Sequence, residues 1–209
     1  MTGKPLITGI YINKPSMINY IGDISSADSI ILRDMAKQST NILEFGVGAS
    51  SQVLAAYAKG KVTSVETDMN WIKRTQENLK LLDITTEVEF KDYYTFVPEG
   101  EYDLIFDDGA TEFRLPFAKL TWKHLKIGGY LLIHDTRTSR EVQVVHDFMK
   151  EFSPEIESIF INKDHSNITV IKKKVAEFYI NWNEVEGRKP WQSGYEEVNY
   201  EEFKALQNK

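Results

Sequence analysis

The sequence predicts an α/β fold: a doubly wound, mostly parallel sheet of seven strands that ends in an antiparallel hairpin. Three observations carry this expectation. Short apolar runs alternate with stretches of helical periodicity from residue 26 to residue 152. A glycine-rich turn, Gly46-Val47-Gly48, joins the first apolar run directly to a helical segment. The last two apolar runs, 156–161 and 168–172, are separated only by residues 162–167. That is too short for a crossover helix, so the two strands must pair antiparallel.

Taken in order, residues 26–37 form a leading helix, capped by Ser25 or Ser26, with Ile30, Ile31 and Met35 on one face. Strands at 41–45 and 61–66 flank a helix at 52–58. A helix at 69–82 follows, with Asp68 as its cap and Met69, Ile72, Leu79 and Leu82 near helical spacing. Residues 86–91 alternate as a strand, and 102–106 is a compact apolar strand that stops at Asp107-Asp108-Gly109. Residues 112–125 read as a helix that holds Pro116 in its first turn or kinks there. Gly128-Gly129 turns the chain into 130–133, apolar at every position and so buried on both faces. Helix 141–152 repeats Val142, Val145, Phe148, Met149 and Phe152. The domain is expected to span 26–174, between extensions 1–25 and 175–209. The second extension carries Phe178, Tyr179, Trp182, Trp191, Tyr195, Tyr200 and Phe203. So many aromatics are expected to pack on the domain or on a second copy of the chain, as in a homodimer. Residues 187–194 read as loop and 196–206 as a short helix.

Composition excludes several classes. With 209 residues and 42% apolar content, the chain can bury a core of ordinary size. A net charge of −6 speaks against a nucleic-acid partner, because phosphate contacts need clustered Lys and Arg. Cysteine is absent, which rules out disulfides, a thiolate nucleophile and Cys metal sites. No apolar run approaches the ~20 residues of a membrane span. The N-terminus lacks the layout of a signal peptide, so a soluble, cytoplasmic protein is the expectation.

The glycine turn carries the chemistry. Glycines between a strand and a helix let a ligand approach main-chain N–H groups closely. The next strand ends in Glu66, eighteen residues past Gly48, where a carboxylate can accept hydrogen bonds from both hydroxyls of a ribose. The alternative for Glu66 is a solvated strand end or a cap on the following helix. Glu44 sits where a buried strand meets the turn and needs a partner there.

With these residues in register, the chain resembles the class I S-adenosylmethionine-dependent methyltransferases over residues 26–174. Their Rossmann-like sheet has seven strands with the last reversed. The family's first motif, an acid followed by Gly-x-Gly, is matched by Glu44, Gly46 and Gly48; a third glycine is replaced by Ser50. The resemblance implies S-adenosylmethionine as cofactor. Its methionyl part would lie along Gly46, Val47 and Gly48, with Glu44 near the ammonium group. Its ribose would lie on Glu66 and Thr67, and its adenine near Asp92 and Tyr93, with Asp107 beside the site.

The strand-four and strand-five ends, Asp107-Asp108-Gly109-Ala110-Thr111 and His134-Asp135-Thr136, are similar to those of O-methyltransferases of the catechol and cephalosporin-hydroxylase-like groups. That similarity implies Asp108, His134 and Asp135 as catalytic residues around a small-molecule acceptor. Asp108 and Asp135 could hold Mg²⁺ and so lower the acceptor's pKa. The family's second acid and His are replaced by Ala110 and Thr111, and its Asn by Thr136. Without a metal, His134 is the general-base candidate; its alternative is a backbone-bonded strand-end His. Competing functions are aminopropyl transfer on the same fold, a nicotinamide-dependent oxidoreductase and a non-catalytic cofactor-binding domain. The nicotinamide class wants glycine where Ser51 stands.

Overall fold

In the computed structural model, which describes residues 20–137, 139–162, 165–174 and 195–206, strands and helices alternate from the outset. The order is α1 (Ser26–Ala36), β1 (Asn41–Phe45), α2 (Ala49–Tyr57), β2 (Lys61–Glu66), α3 (Met69–Leu81), β3 (Val88–Asp92) and β4 (Tyr102–Asp107). Then come α4 (Thr111–Trp122), β5 (Leu125–Ile133), α5 (Ser139–Phe152), β6 (Ile156–Asn162), β7 (Thr169–Lys173), β8 (Tyr195–Val198) and α6 (Tyr200–Leu206). The sheet runs β3-β2-β1-β4-β5-β7-β6-β8. The first five strands in this order pair in parallel. Strand β7 lies antiparallel between β5 and β6. Strands β1 to β7 form the doubly wound, seven-stranded sheet with a reversed end that the sequence predicts, and β8 extends it at the β6 edge.

Each face of the sheet buries its own apolar layer. Trp122, Phe117, Phe148 and Met149 cover Leu43, Phe45, Ile105 and Ile133 on one face. Ile31, Leu32, Met35, Val53 and Leu54 cover Ile42, Leu104, Phe106 and Leu132 on the other. Because β2 lies on one side of β1 and β4 on the other, the strand order switches between β1 and β4. A crevice opens at their carboxyl ends, the place where open α/β sheets bind ligands.

Several local expectations need correction. Ile30 is 46% exposed, and α1 buries Leu32 in its place beside Ile31 and Met35. Met69, the first residue of α3, is 59% exposed. Pro116 lies in the second turn of α4. Leu125 belongs to β5: Tyr102 pairs with Leu125 and Leu104 with Tyr130, so the Gly128-Gly129 pair forms an irregularity inside β5 rather than a turn before it. Gly128 adopts φ +77°, which explains the glycine. Residues 196–198, expected to be helical, belong to β8, which pairs antiparallel with β6 and adds an eighth strand. The helix starts only at Tyr200 and inserts Phe203 into the core. Trp182, Trp191 and the expected loop 187–194 lie outside the described residues. No helix among the described residues is long and apolar enough to cross a membrane.

Candidate active site

The glycine turn is built by two constraints. Gly46 has φ +92°, and a Cβ there would sit 2.4 Å from the Asp108 carbonyl oxygen. The turn after β1 and the turn after β4 are therefore pressed together, with Asp108 N–H donating to Phe45 O at 2.8 Å. Gly48 differs. A Cβ there would meet nothing closer than 3.9 Å, so packing does not require glycine, yet the residue lines a pocket. Space kept clear at a pocket wall is what a ligand lying on the backbone needs.

The N–H groups of the turn are already used within the protein. Gly46 donates to Val65 O at 2.9 Å, Val47 to Glu66 Oε2 at 2.8 Å and Gly48 to Ser51 Oγ at 3.1 Å. The first-turn N–H groups of α2, at Ala49 and Ser50, border the same pocket and lack intrahelical partners by position.

The pocket encloses about 340 Å³, at the low end for a small-molecule site. Gly46, Val47, Gly48, Glu66, Thr67, Asp68, Trp71 and Asp108 line it together with Gly22 and Asp23. Glu66 accepts at Oε2 from Val47 N–H and at Oε1 from Thr67 N–H (2.6 Å), Thr67 Oγ1 (2.9 Å) and Asp68 N–H (3.0 Å). It therefore fixes the turn and faces the pocket at once. Trp71 closes the pocket beside Asp68, its ring under the Arg74 guanidinium at 4.6 Å.

Four expected cofactor residues do not line this pocket. Glu44 is wholly buried under α2 and does not line the pocket; Ser64 Oγ donates to its Oε2 at 2.7 Å, while its Oε1 has no partner among the described residues. Burial raises its carboxyl to about 7, with Ser50, Ser51 and Ser64 opposing the shift and Asp108 adding to it. Asp92 caps the turn that follows β3, accepting from Tyr94 N–H at 3.0 Å. Tyr93 stacks on Phe45 at 4.8 Å and packs into the core. Asp107 is fully buried, and neither carboxylate oxygen has a partner among the described residues. Burial drives its pKa well above the usual carboxylate range, against the pull of Arg114.

Asp108, His134 and Asp135 do converge, at the ends of β4 and β5. His134 is buried, with Nδ1 2.9 Å from Asp108 Oδ1 and Nε2 3.2 Å from Asp28 Oδ2. Burial alone would lower its pKa, but hydrogen bonds to Asp108 and Asp28 outweigh it and raise the value to about 10. His134 is therefore a held imidazolium, not the free general base expected from the sequence. A second cation completes the group. Buried Arg114, on α4, donates to Gly109 O (2.7 Å), His134 O (2.8 Å) and Asp108 Oδ1 (3.0 Å), and lies 3.4 Å from Asp135 Oδ2. Asp135 holds a left-handed φ of +59°, strained for a residue with a side chain, and remains the more open carboxylate, at 38% against 21% for Asp108.

One potential ligand atom from each of Asp108, His134 and Asp135 lies within 4.8 Å of the others, close enough to suggest a metal site. The group does not fit a divalent ion as arranged. Binding one would displace Arg114 from Asp108 and strip His134 of a proton that two carboxylates hold. Thr136, which stands where the catechol group has Asn, is turned to the hairpin, where it bonds Asn167 O and Thr169.

Arg114 and Asp28 went unnoticed in the sequence. Arg114 could have been noticed as a cation six residues after Asp108, at the start of the following helix. Nothing local connects Asp28 to His134, 106 positions away.

Solved methyltransferase structures share this Rossmann-like fold. The O-methyltransferase TomG from Streptomyces achromogenes, involved in tomaymycin synthesis and solved with SAM, is 15% identical with a TM-score of 0.61; the match covers 73% of this chain and 82% of that one. An O-methyltransferase from Bacillus cereus in complex with SAH is 16% identical at the same TM-score, with the same coverage. The SAH-bound methyltransferase PaMTH1 from Podospora anserina is 18% identical with a TM-score of 0.57, over 71% of this chain and 77% of that one. No protein-family model and no curated protein matches the sequence.

Proposed function

We propose that the protein is an S-adenosylmethionine-dependent methyltransferase acting at an oxygen of a small-molecule acceptor. The observation that carries this reading is the pocket at the β1–β4 switch point. There a glycine turn, the acid ending β2 and the charged group at the β4 and β5 ends meet. The fold's neighbours with bound SAM or SAH support it. The cofactor supplies a methyl group already activated by its sulfonium.

The chain's own residues do the rest. Glu66 and Thr67 hold the ribose, Trp71 borders the adenine side and the Gly46–Gly48 backbone lies along the methionyl part. Asp135, the most open carboxylate of the charged group, takes the acceptor's proton. Arg114 and the His134 imidazolium supply fixed positive charge beside it, the service a divalent ion would otherwise give. Turnover is accordingly independent of Mg²⁺. The acidic chain favours a small acceptor over nucleic acid, and a cytoplasmic location fits its composition. Residues 26–174 carry the site core, flanked by two extensions, the second of which is suited to a homodimer contact.

A methyl-transfer assay with labelled S-adenosylmethionine and a panel of phenols, catechols and hydroxy acids tests this. Label should pass to an oxygen of at least one acceptor in wild type and be lost in Asp135→Asn. Binding of the cofactor without transfer to any acceptor would favour a non-catalytic role.

A further inference from the structure

We propose that Asp23 binds the α-ammonium group at the methionyl end of the cofactor. The inference rests on the reading of the pocket as a site for S-adenosylmethionine, and it gives Asp23 a role expected of Glu44. Glu44 is buried beneath the turn, outside the pocket lining.

The other pocket carboxylates are engaged. Glu66 accepts four hydrogen bonds, Asp68 caps α3 through Asn70 N–H at 2.8 Å, and Asp108 is paired with Arg114 and His134. Asp23 lines the pocket, is exposed and has no hydrogen-bond or ion-pair partner among the described residues.

Its position is fixed from both sides. Buried Gln52 accepts from Ile21 N–H at 3.2 Å, and its Nε2 donates to Ile21 O at 2.9 Å and to Gly48 O at 2.7 Å. Gly22, at φ +110°, lies so close to α2 that a Cβ would stand 2.6 Å from Ala49 N. On the far side Ile24 is buried and Ser25 caps α1. Residues 21–24 thus form a strap over the glycine turn that presents one free carboxylate.

The direction of the cofactor follows from the turn. Val47 N–H bonds Glu66, while Gly48 adjoins Gly22, so the turn leads from the ribose acid to the strap. A ligand with its ribose on Glu66 places its amino-acid end at Asp23, where an ammonium group gains a charge-assisted hydrogen bond.

The test is calorimetric affinity for S-adenosylhomocysteine and for 5′-methylthioadenosine, which lacks the amino-acid end. Asp23→Asn is expected to weaken S-adenosylhomocysteine roughly 10-fold or more, the effect of one charged hydrogen bond. It should leave 5′-methylthioadenosine within about 2-fold. Glu66→Gln should weaken both, since both carry the ribose. Unchanged affinity of Asp23→Asn for S-adenosylhomocysteine overturns the proposal, as does equal weakening of both ligands, which would make the strap a structural cover. A wild-type protein that binds neither ligand removes the cofactor reading and this inference with it.

Discussion

Replacing Arg114 with Leu tests the charged group that joins β4, α4 and β5. The side chain is 5% exposed, and its removal takes away four contacts. Two go to the carbonyls of Gly109 and His134, at 2.7 and 2.8 Å, and lose a charged donor each. The third, at 3.0 Å, leaves Asp108 with His134 alone; the fourth, at 3.4 Å to a half-open Asp135, counts for little because solvent screens it. Breaking one side of a buried ion pair costs about 3–5 kcal/mol. For a chain of this size that lowers Tm by about 6–20 °C. Scanning calorimetry of wild type, Arg114→Leu and Arg114→Lys reads it directly, with Lys only partly restoring stability because it lacks the guanidinium fork. A Tm for Arg114→Leu within about 2 °C of wild type would show that Arg114 is not the resident cation.

Three further predictions follow from the same geometry. Gly46→Ala should fail to fold stably, because its Cβ meets the Asp108 carbonyl, whereas Gly48→Ala should keep the wild-type Tm and lose cofactor affinity; equal behaviour of the two would refute the distinction. Stability should fall as pH rises. His134 holds its proton to about 10 when folded against 6.5 unfolded, so its contribution is complete below 6.5 and lost as pH passes 10, while Glu44, raised from 4.5 to about 7, adds a loss between those values. Denaturant titrations from pH 5 to 10 that show stability rising with pH would contradict both assignments. Finally, initial rates should be unchanged by EDTA or added Mg²⁺; a loss on chelation that Mg²⁺ restores would place a metal at Asp108 and Asp135.

The sheet was legible because its strands carry their own signals. β1 and β2 were bounded correctly by apolar runs with a glycine turn and an acid at their ends, and the short 162–167 connection dictated the antiparallel hairpin. β8 was not legible: Glu196, Glu197 and Glu202 read as a polar helix, and only the open edge of β6 makes a strand of the first part. In the site, Gly46, Gly48 and Glu66 could be read from one contiguous stretch. The state of His134 could not, because it depends on Asp28 from α1 and on Asp108 from β4, brought together only by the fold. Glu44 looked exposed to ligand in sequence, yet it faces α2, since alternation along β1 sets it on the side of Ile42 rather than in the crevice. Asp23 carried no motif at all and matters only because Gln52 pins the strap above the turn.

Titrating the wild-type protein with S-adenosylhomocysteine and, separately, with NADH in a calorimeter tests the central claim most directly. Saturable one-to-one binding of S-adenosylhomocysteine, with no heat from NADH, is the result the pocket predicts. Binding of NADH alone, or of neither ligand, would contradict the assignment of the glycine turn and Glu66 to an S-adenosyl cofactor.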